Sequence, residues 1–251
     1  MLKFSGCLGG EVMSLDELCD WFRGLDSVLV AFSGGVDSSV LAAVAFHVLK
    51  GRAVAVTVKS ELQSEEDLKN AVTIAKEIGI EHRVLNFQAL DVEDIRENRP
   101  RRCYLCKRAM AERLTEEAKR RGIAVIVDGT NASDKEEDRP GVKALFEFEI
   151  RTPLRELGIT KSEVREIARG LGLSNSDHPP RSCLATRIEG RLDPERLDRV
   201  EMAEKHLPKG WRIVDFGARA LVKVPEGEVL CQDLIAKLKS LGYRKVDGAP
   251  G

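Results

Sequence analysis

Aromatic residues are scarce. Phe, Trp and Tyr make up 5% of the 251 residues, too few for a surface that stacks unpaired bases. Net charge is nearly absent as well: 40 Lys and Arg against 41 Asp and Glu leave −1, so no global basic field draws nucleic acid. No run of about 18 apolar residues exists, which excludes a hydrophobic membrane span. Met1 to Gly10 holds one lysine and a broken apolar stretch, a poor signal peptide, so the cytoplasm is the expected compartment. Six cysteines in a chain of this length do not make a secreted disulfide scaffold. Two common nucleotide signatures, G-x-x-x-x-G-K-[ST] and G-x-G-x-x-G, are missing. What is present is an ordinary globular balance, 43% apolar and 32% charged, long enough for one or two domains.

The most informative stretch is Ser33-Gly34-Gly35-Val36-Asp37-Ser38. It follows the apolar run Val28 to Phe32 and precedes a segment suited to a helix, Val40 to Leu49. Strand, glycine turn and helix together aim free backbone N–H groups and a helix N-terminus at an anion. Adjacent glycines let the backbone approach that anion without a Cβ clash. Ser33, Ser38 and Ser39 add hydroxyl donors. Asp37 is a carboxylate in a phosphate site, which makes sense if Mg²⁺ bridges the two; its other reading is an N-cap. The loop resembles the SGGxDS loop of PP-loop ATP pyrophosphatases. That resemblance implies ATP cleaved between its α and β phosphates, with AMP passed to a substrate oxygen.

Apolar patterning gives the framework. Ser14 and Glu17 form a capping box for a helix over 14–25. Strands are expected at Val28–Phe32, Ala53–Val58, Val84–Phe87 and Ile123–Val127. Between them lie helices from Glu65 to Gly79 and from Lys107 to Arg121, the latter closed by Gly122. Another helix, Thr160 to Gly170, has Thr160 and Glu163 as a capping box and Val164, Ile167, Ala168 and Leu171 as its buried stripe. Strands alternating with helices predict an α/β fold with a doubly wound parallel sheet. Ligands in such sheets sit beyond the carboxyl ends of the strands, where 33–38 and the turn Asp128-Gly129-Thr130-Asn131 both fall. Asp128 and Asn131 line the crevice or simply form the turn. Residues 174–190 have no period and read as a functional loop. A small α+β domain over 191–251 follows the main domain, 1–190. It has a helix near 194–206, strands near 211–216 and 220–224, a helix near 228–241, and a loose end from Val246.

Cys103 and Cys106 form C-x-x-C within Arg101-Arg102-Cys103-Tyr104-Leu105-Cys106-Lys107-Arg108. Cys183 lies in the long loop, between Arg181 and Arg187. Two thiolates at that spacing suit Zn²⁺, an iron–sulfur cluster or a redox disulfide. Zinc wants a fourth ligand, for which His178 is the nearest candidate. Three thiolates without a fourth fit a [4Fe–4S] cluster with one iron open to a non-protein ligand. The flanking cations favour the thiolate form. Arg181 and Arg187 are candidates for a substrate phosphate or AMP.

Several ordered motifs together are more specific than any one. Ser33–Ser39, Arg102–Lys107, Asp128–Asp134, Arg139-Pro140-Gly141, Arg151-Thr152-Pro153-Leu154 and Cys183–Arg187 together resemble the LarE branch of the PP-loop family. The resemblance implies an adenine nucleotide α-hydrolase-like fold and an ATP-dependent sulfur transferase. Its substrate would be a pyridinium-3,5-biscarboxylic acid mononucleotide in nickel-pincer cofactor biosynthesis. It implies carboxylates adenylylated and converted to thiocarboxylates, a nucleotide-like small-molecule substrate, inorganic sulfide or another sulfur donor, and room for a homo-oligomer. Members with one cysteine at the position of Cys183 give up its sulfur. Members with all three, as here, bind a [4Fe–4S] cluster through Cys103, Cys106 and Cys183. The sequence departs from the branch in its tail. Where relatives carry an arginine-rich strand, this chain has Trp211-Arg212-Ile213-Val214-Asp215.

The chemistry follows from leaving groups. A carboxylate oxygen leaves poorly; joined to AMP, it leaves as a phosphate. In-line attack on the α-phosphorus needs negative charge neutralised. Backbone N–H groups of Gly34, Gly35 and Val36, with Ser33 and Ser38, would hold the pyrophosphate and Asp37 the Mg²⁺. Cluster-bound sulfide or the Cys183 thiolate would attack the activated carbonyl. Two other readings stand beside this one: a PP-loop tRNA thiolase, supported by the basic run Arg99–Arg108, and an ATP- or metal-binding module with structural Zn²⁺ at C-x-x-C.

Overall fold

The computed structural model describes residues 2, 13–134, 141–179 and 182–250. Cys7, Arg139, Pro140 and Arg181 lie outside them. In chain order the elements are α1 (Met13–Arg23), β1 (Val28–Ala31), α2 (Val36–Leu49), β2 (Ala53–Lys59), α3 (Glu65–Ile78), β3 (Glu81–Asn86), α4 (Glu93–Arg96) and α5 (Arg102–Arg121). They continue as β4 (Val125–Val127), α6 (Val142–Glu147), α7 (Pro153–Glu156), α8 (Lys161–Leu171), α9 (Pro194–His206), β5 (Arg212–Asp215), β6 (Arg219–Val224), α10 (Gln232–Ser240) and β7 (Lys245–Pro250). These group into two compact units.

The first unit, residues 1–59, 65–87 and 103–181, is the expected α/β layer structure. Its sheet runs β3-β2-β1-β4 and every pairing is parallel, with Val28 opposite Ala53 on one side and Val125 on the other. β1 and β2 are β-branched and buried on both faces, as strands between helix layers must be. α2 is apolar nearly all round, and Val40 to Ala45 are fully buried. Such a helix has to be covered on several sides. Leu18 and Phe22 of α1, Ala71, Ile74 and Ala75 of α3, and Val164, Ile167 and Leu171 of α8 share its core. Because β2 and β4 lie on opposite sides of β1, the strand order reverses there. The crevice at the carboxyl end of β1 is therefore the switch point at which such sheets take ligands.

Several local expectations hold. α8 starts with the Thr160–Glu163 capping box, ends on left-handed Gly172, and buries the four expected residues. Others change. α1 begins at Met13, so Ser14 lies inside the helix and its hydroxyl donates to Glu163 Oε1 at 3.0 Å; a partner in another helix outcompetes the local cap. α5 starts at Arg102 rather than Lys107, because its first turn is held by backbone bonding and carries no apolar period to read. The C-x-x-C is thus helical. β3 begins at Glu81 and is largely exposed, as befits an edge strand.

The second unit comprises residues 60–64, 88–102 and 182–251. Its sheet is β5-β6-β7, with β5 and β6 antiparallel and β6 and β7 parallel. The expected loose end from Val246 is instead β7, where Val246 pairs with Ala220 and Pro250 with Val224. Pro250 and Gly248 hide that strand from propensity, and pairing with β6 overrides it.

The centre of this unit is a carboxylate. Asp215 is 0% exposed. It accepts from Arg196 (2.6 and 2.9 Å), Arg199 (2.7 and 3.1 Å), the Tyr243 hydroxyl (2.8 Å) and the Gly217 N–H (2.7 Å). Burial pushes its pKa up, but these bonds outweigh burial and hold it below the usual carboxylate range. Its stabilisation is therefore full above that range and is lost as pH falls through the lowered pKa. Asp215→Ala should destabilise this unit by about 3–5 kcal/mol, because two guanidiniums lose their counter-ion. Hydrogen exchange of the β5–β7 amides reads this directly; a loss below about 1 kcal/mol contradicts it.

Candidate active site

The turn after β1 is built from its own hydroxyls. The Phe32 N–H donates to Val56 O (2.8 Å), which keeps the strand paired to its last residue. Gly35, extended at φ −73° and ψ 160°, is the N-cap of α2. The Ser38 hydroxyl donates to Gly35 O (3.0 Å) and accepts from the Ser33 N–H (3.3 Å). With that proton spent, the Ser33 hydroxyl donates to Ser38 Oγ (3.1 Å), and Ser33 Oγ accepts from the Gly35 N–H (3.3 Å). Gly34 is the position no other residue can fill. Its φ is +73°, and a Cβ there would lie 2.6 Å from Ala71 Cα in α3.

Asp37 is the second residue of α2 and does not cap it. Its Oδ1 accepts from Asn131 Nδ2 at 3.0 Å, and its Oδ2 is ion-paired with the Lys161 ammonium. Asn131 is 1% exposed. Its Oδ1 accepts from the Ser133 N–H (2.9 Å) and its own N–H donates to Asp134 (3.1 Å), so it shapes the turn and contacts Asp37 at once. The turn docks on α2 at Gly129, where a Cβ would lie 2.9 Å from Ser38 N. It docks on α8 through Lys161 N–H to Ser133 Oγ (3.0 Å).

Asp128 is buried. Its Oδ1 accepts from the N–H and hydroxyl of Thr130 (3.0 and 2.6 Å), and its Oδ2 from Lys107 Nζ (2.7 Å). Burial pushes its pKa up, but the Lys107 charge and these bonds hold it below the usual range. The loops after β1 and β4 thus present two carboxylates, each matched by a lysine. Sequence reasoning singled out the carboxylates and missed the lysines. Lys107 was visible as the residue one turn after Cys103, and Lys161 as the first helical residue after the Thr160 cap.

Cys103 and Cys106 sit on the first turns of α5, Cys103 exposed and Cys106 half-buried. Gly141 rests on this turn: a Cβ there would be 3.1 Å from Lys107 Cβ and 3.4 Å from Cys103 O. Cys183 belongs to the second unit, is exposed, and leads into a short 3₁₀ turn over Leu184–Arg187. Its carbonyl accepts from the N–H and hydroxyl of Thr186 (3.0 and 2.7 Å). Arg187 is only 8% exposed; its guanidinium donates to Glu204 Oε1 (2.5 Å), Ser182 Oγ (2.8 Å) and Thr186 Oγ1 (2.8 Å). It holds the Cys183 loop from within. Among the described residues no three His, Cys, Asp or Glu side chains are grouped around one metal position. No described helix is long and apolar enough to cross a membrane.

A parallel sheet whose switch point carries an SGGVDS turn and a buried helix defines a PP-loop nucleotide-binding domain. Comparison with known proteins agrees. The asparagine synthase family model matches residues 23–132. An uncharacterised protein of Synechocystis is 38% identical over 77% of this chain and 73% of its own length. An uncharacterised Methanocaldococcus jannaschii protein is 34% identical over 87% of each chain. The pyridinium-3,5-bisthiocarboxylic acid mononucleotide synthase of Lactiplantibacillus plantarum is 31% identical over 89% of this chain and 86% of its own. The chain belongs to the family of that synthase, the LarE-like branch of the PP-loop enzymes. Membership supports an enzyme that uses ATP.

The loop geometry yields a paired test. Gly34→Ala should weaken ATP binding by more than about tenfold, or 1.4 kcal/mol, since its Cβ meets α3 backbone at a positive φ. Gly51→Ala, with nothing within 4 Å of the new methyl, should leave it unchanged. Titration calorimetry distinguishes them, and equal affinity in both variants contradicts the loop assignment.

Proposed function

We propose that the protein is an ATP-dependent sulfur transferase that adenylylates a carboxylate of a pyridinium-3,5-biscarboxylic acid mononucleotide and replaces its oxygen with sulfur. The observation that carries this reading is the SGGVDS turn at the switch point, with Asp37 and Asp128 each facing a lysine, in a chain 31% identical to the synthase that makes the bisthiocarboxylic product.

The chain's own groups supply the activation step. N–H groups of Gly34, Gly35 and Val36, with the Ser33 and Ser38 hydroxyls, hold the β and γ phosphates once the bonds among Ser33, Gly35 and Ser38 are exchanged for phosphate oxygens. The substrate carboxylate attacks the α-phosphorus in line, a P–O bond to pyrophosphate breaks, and an acyl-AMP anhydride forms. Lys107 and Lys161 offset the charge that gathers on the leaving pyrophosphate. Asp37 already holds a cation, the Lys161 ammonium, so its carboxylate suits Mg²⁺ brought in with ATP. The second step needs a sulfur nucleophile at the acyl carbon, with AMP leaving.

Three cysteines fit an iron–sulfur donor set in kind. Cys103 and Cys106 lie one helical turn apart, and Cys103 and Cys183 are exposed. Cys103, Cys106 and Cys183 would hold a [4Fe–4S] cluster, which when bound supplies sulfur for the exchange. With no cluster, the Cys183 thiolate displaces AMP to form a thioester, and loss of the Cα proton with cleavage of the Cβ–S bond leaves the thiocarboxylate on the product and dehydroalanine at position 183, for a single turnover.

Anaerobic purification should give about four irons per chain. With ATP, Mg²⁺ and sulfide, AMP release should depend on the pyridinium mononucleotide and yield a thiocarboxylate seen by mass spectrometry. Stoichiometric zinc without iron overturns the cluster, and AMP release that depends on tRNA instead overturns the substrate. Asp37→Asn should lower AMP release by about 10²-fold or more. Undiminished release means Asp37 does not hold the metal.

A further inference from the structure

The PP-loop is held from behind by an amide that no motif points to. Asn175 lies three residues past the Gly172 cap of α8 and is 0% exposed. Its Nδ2 donates to Gly34 O at 2.8 Å and to Ser39 Oγ at 2.9 Å. The amide orientation is decided by its neighbours. Gly34 O can only accept, and the Ser39 hydroxyl proton is spent on Gly35 O at 2.8 Å, so both contacts require the NH₂. Its Oδ1 is buried without a hydrogen-bond partner among the described residues. Asn70 of α3 donates to the same Gly34 carbonyl at 3.2 Å.

The consequence lies on the other face of the loop. In a trans peptide the C=O and N–H point in opposite directions, and no cis bond occurs among the described residues. Anchoring Gly34 O fixes where the Gly35 N–H points, towards Ser33 Oγ. Anchoring Gly35 O through Ser39 does the same for the Val36 N–H. A Gly-Gly peptide flips at low cost, because glycine has no Cβ to oppose it. The flipped peptide would turn a carbonyl at the anion. We propose that Asn175 is a positioning residue that locks the PP-loop in its pyrophosphate-gripping form. The proposal rests on the nucleotide-binding reading above.

Asn175→Leu keeps the side-chain shape and removes both donors. On the full chain, calorimetry should show the affinities for inorganic pyrophosphate and ATP falling by about tenfold or more, with AMP changed by less than about twofold. General damage to the unit would weaken all three alike, and that result overturns the proposal. So does an unchanged pyrophosphate affinity in a variant whose parent binds it. A parent that binds neither ATP nor pyrophosphate overturns the nucleotide reading, and the proposal with it. If the leucine variant does not fold, Ser39→Ala removes the second arm of the clamp together with the Ser39 bond to Gly35 O, and leaves the Asn175 bond to Gly34 O in place. It should still weaken pyrophosphate selectively, by about threefold, and an unchanged ratio to AMP is contrary evidence.

Discussion

β1 pairs in parallel with β2 on one side and β4 on the other, and the site depends on that placement. A strand in the middle of a parallel sheet, where the order reverses, ends in a gap between two connections that leave on opposite sides. The N-terminus of α2 faces that gap. The turn after β4 reaches it because Gly129 leaves room against Ser38, and α8 reaches it through Lys161. Without the double pairing of Val28, Leu29 and Val30, these three elements have no shared edge.

The electrostatics of this edge follow from its backbone. Free N–H groups at a helix start favour anions, and Asp37 in the first turn of α2 answers that preference but repels an incoming phosphate. The protein resolves the conflict by giving each carboxylate of the crevice a lysine: Lys161 for Asp37 and Lys107 for Asp128. The pairs leave both carboxylates of the crevice charge-compensated. Lys107 is also one turn from Cys103 on α5, so the helix that carries the C-x-x-C supplies the partner of Asp128 as well.

Much of the architecture was legible because it is written in period and cap. α8 shows its Thr160–Glu163 box, buried stripe and Gly172 end in plain order, and Ser33–Ser38 announces itself by composition. The missed features share a different cause. The first turn of α5 is polar, β7 contains Gly248 and Pro250, and Ser14 bonds to a residue 149 positions away. Lys161, Lys107 and Asn175 matter through partners distant in sequence, and a spacing rule cannot see those. Asn131 was readable as a turn residue, but its bond to Asp37, 94 positions away, required the fold.

The central claim is that the crevice joins a carboxylate to AMP. Turnover with an ¹⁸O-labelled substrate carboxylate tests it most directly. The account predicts AMP and pyrophosphate as the nucleotide products, with one labelled oxygen carried into the AMP phosphate when the anhydride is opened by sulfur. ADP and phosphate, or AMP that carries no label, would contradict it.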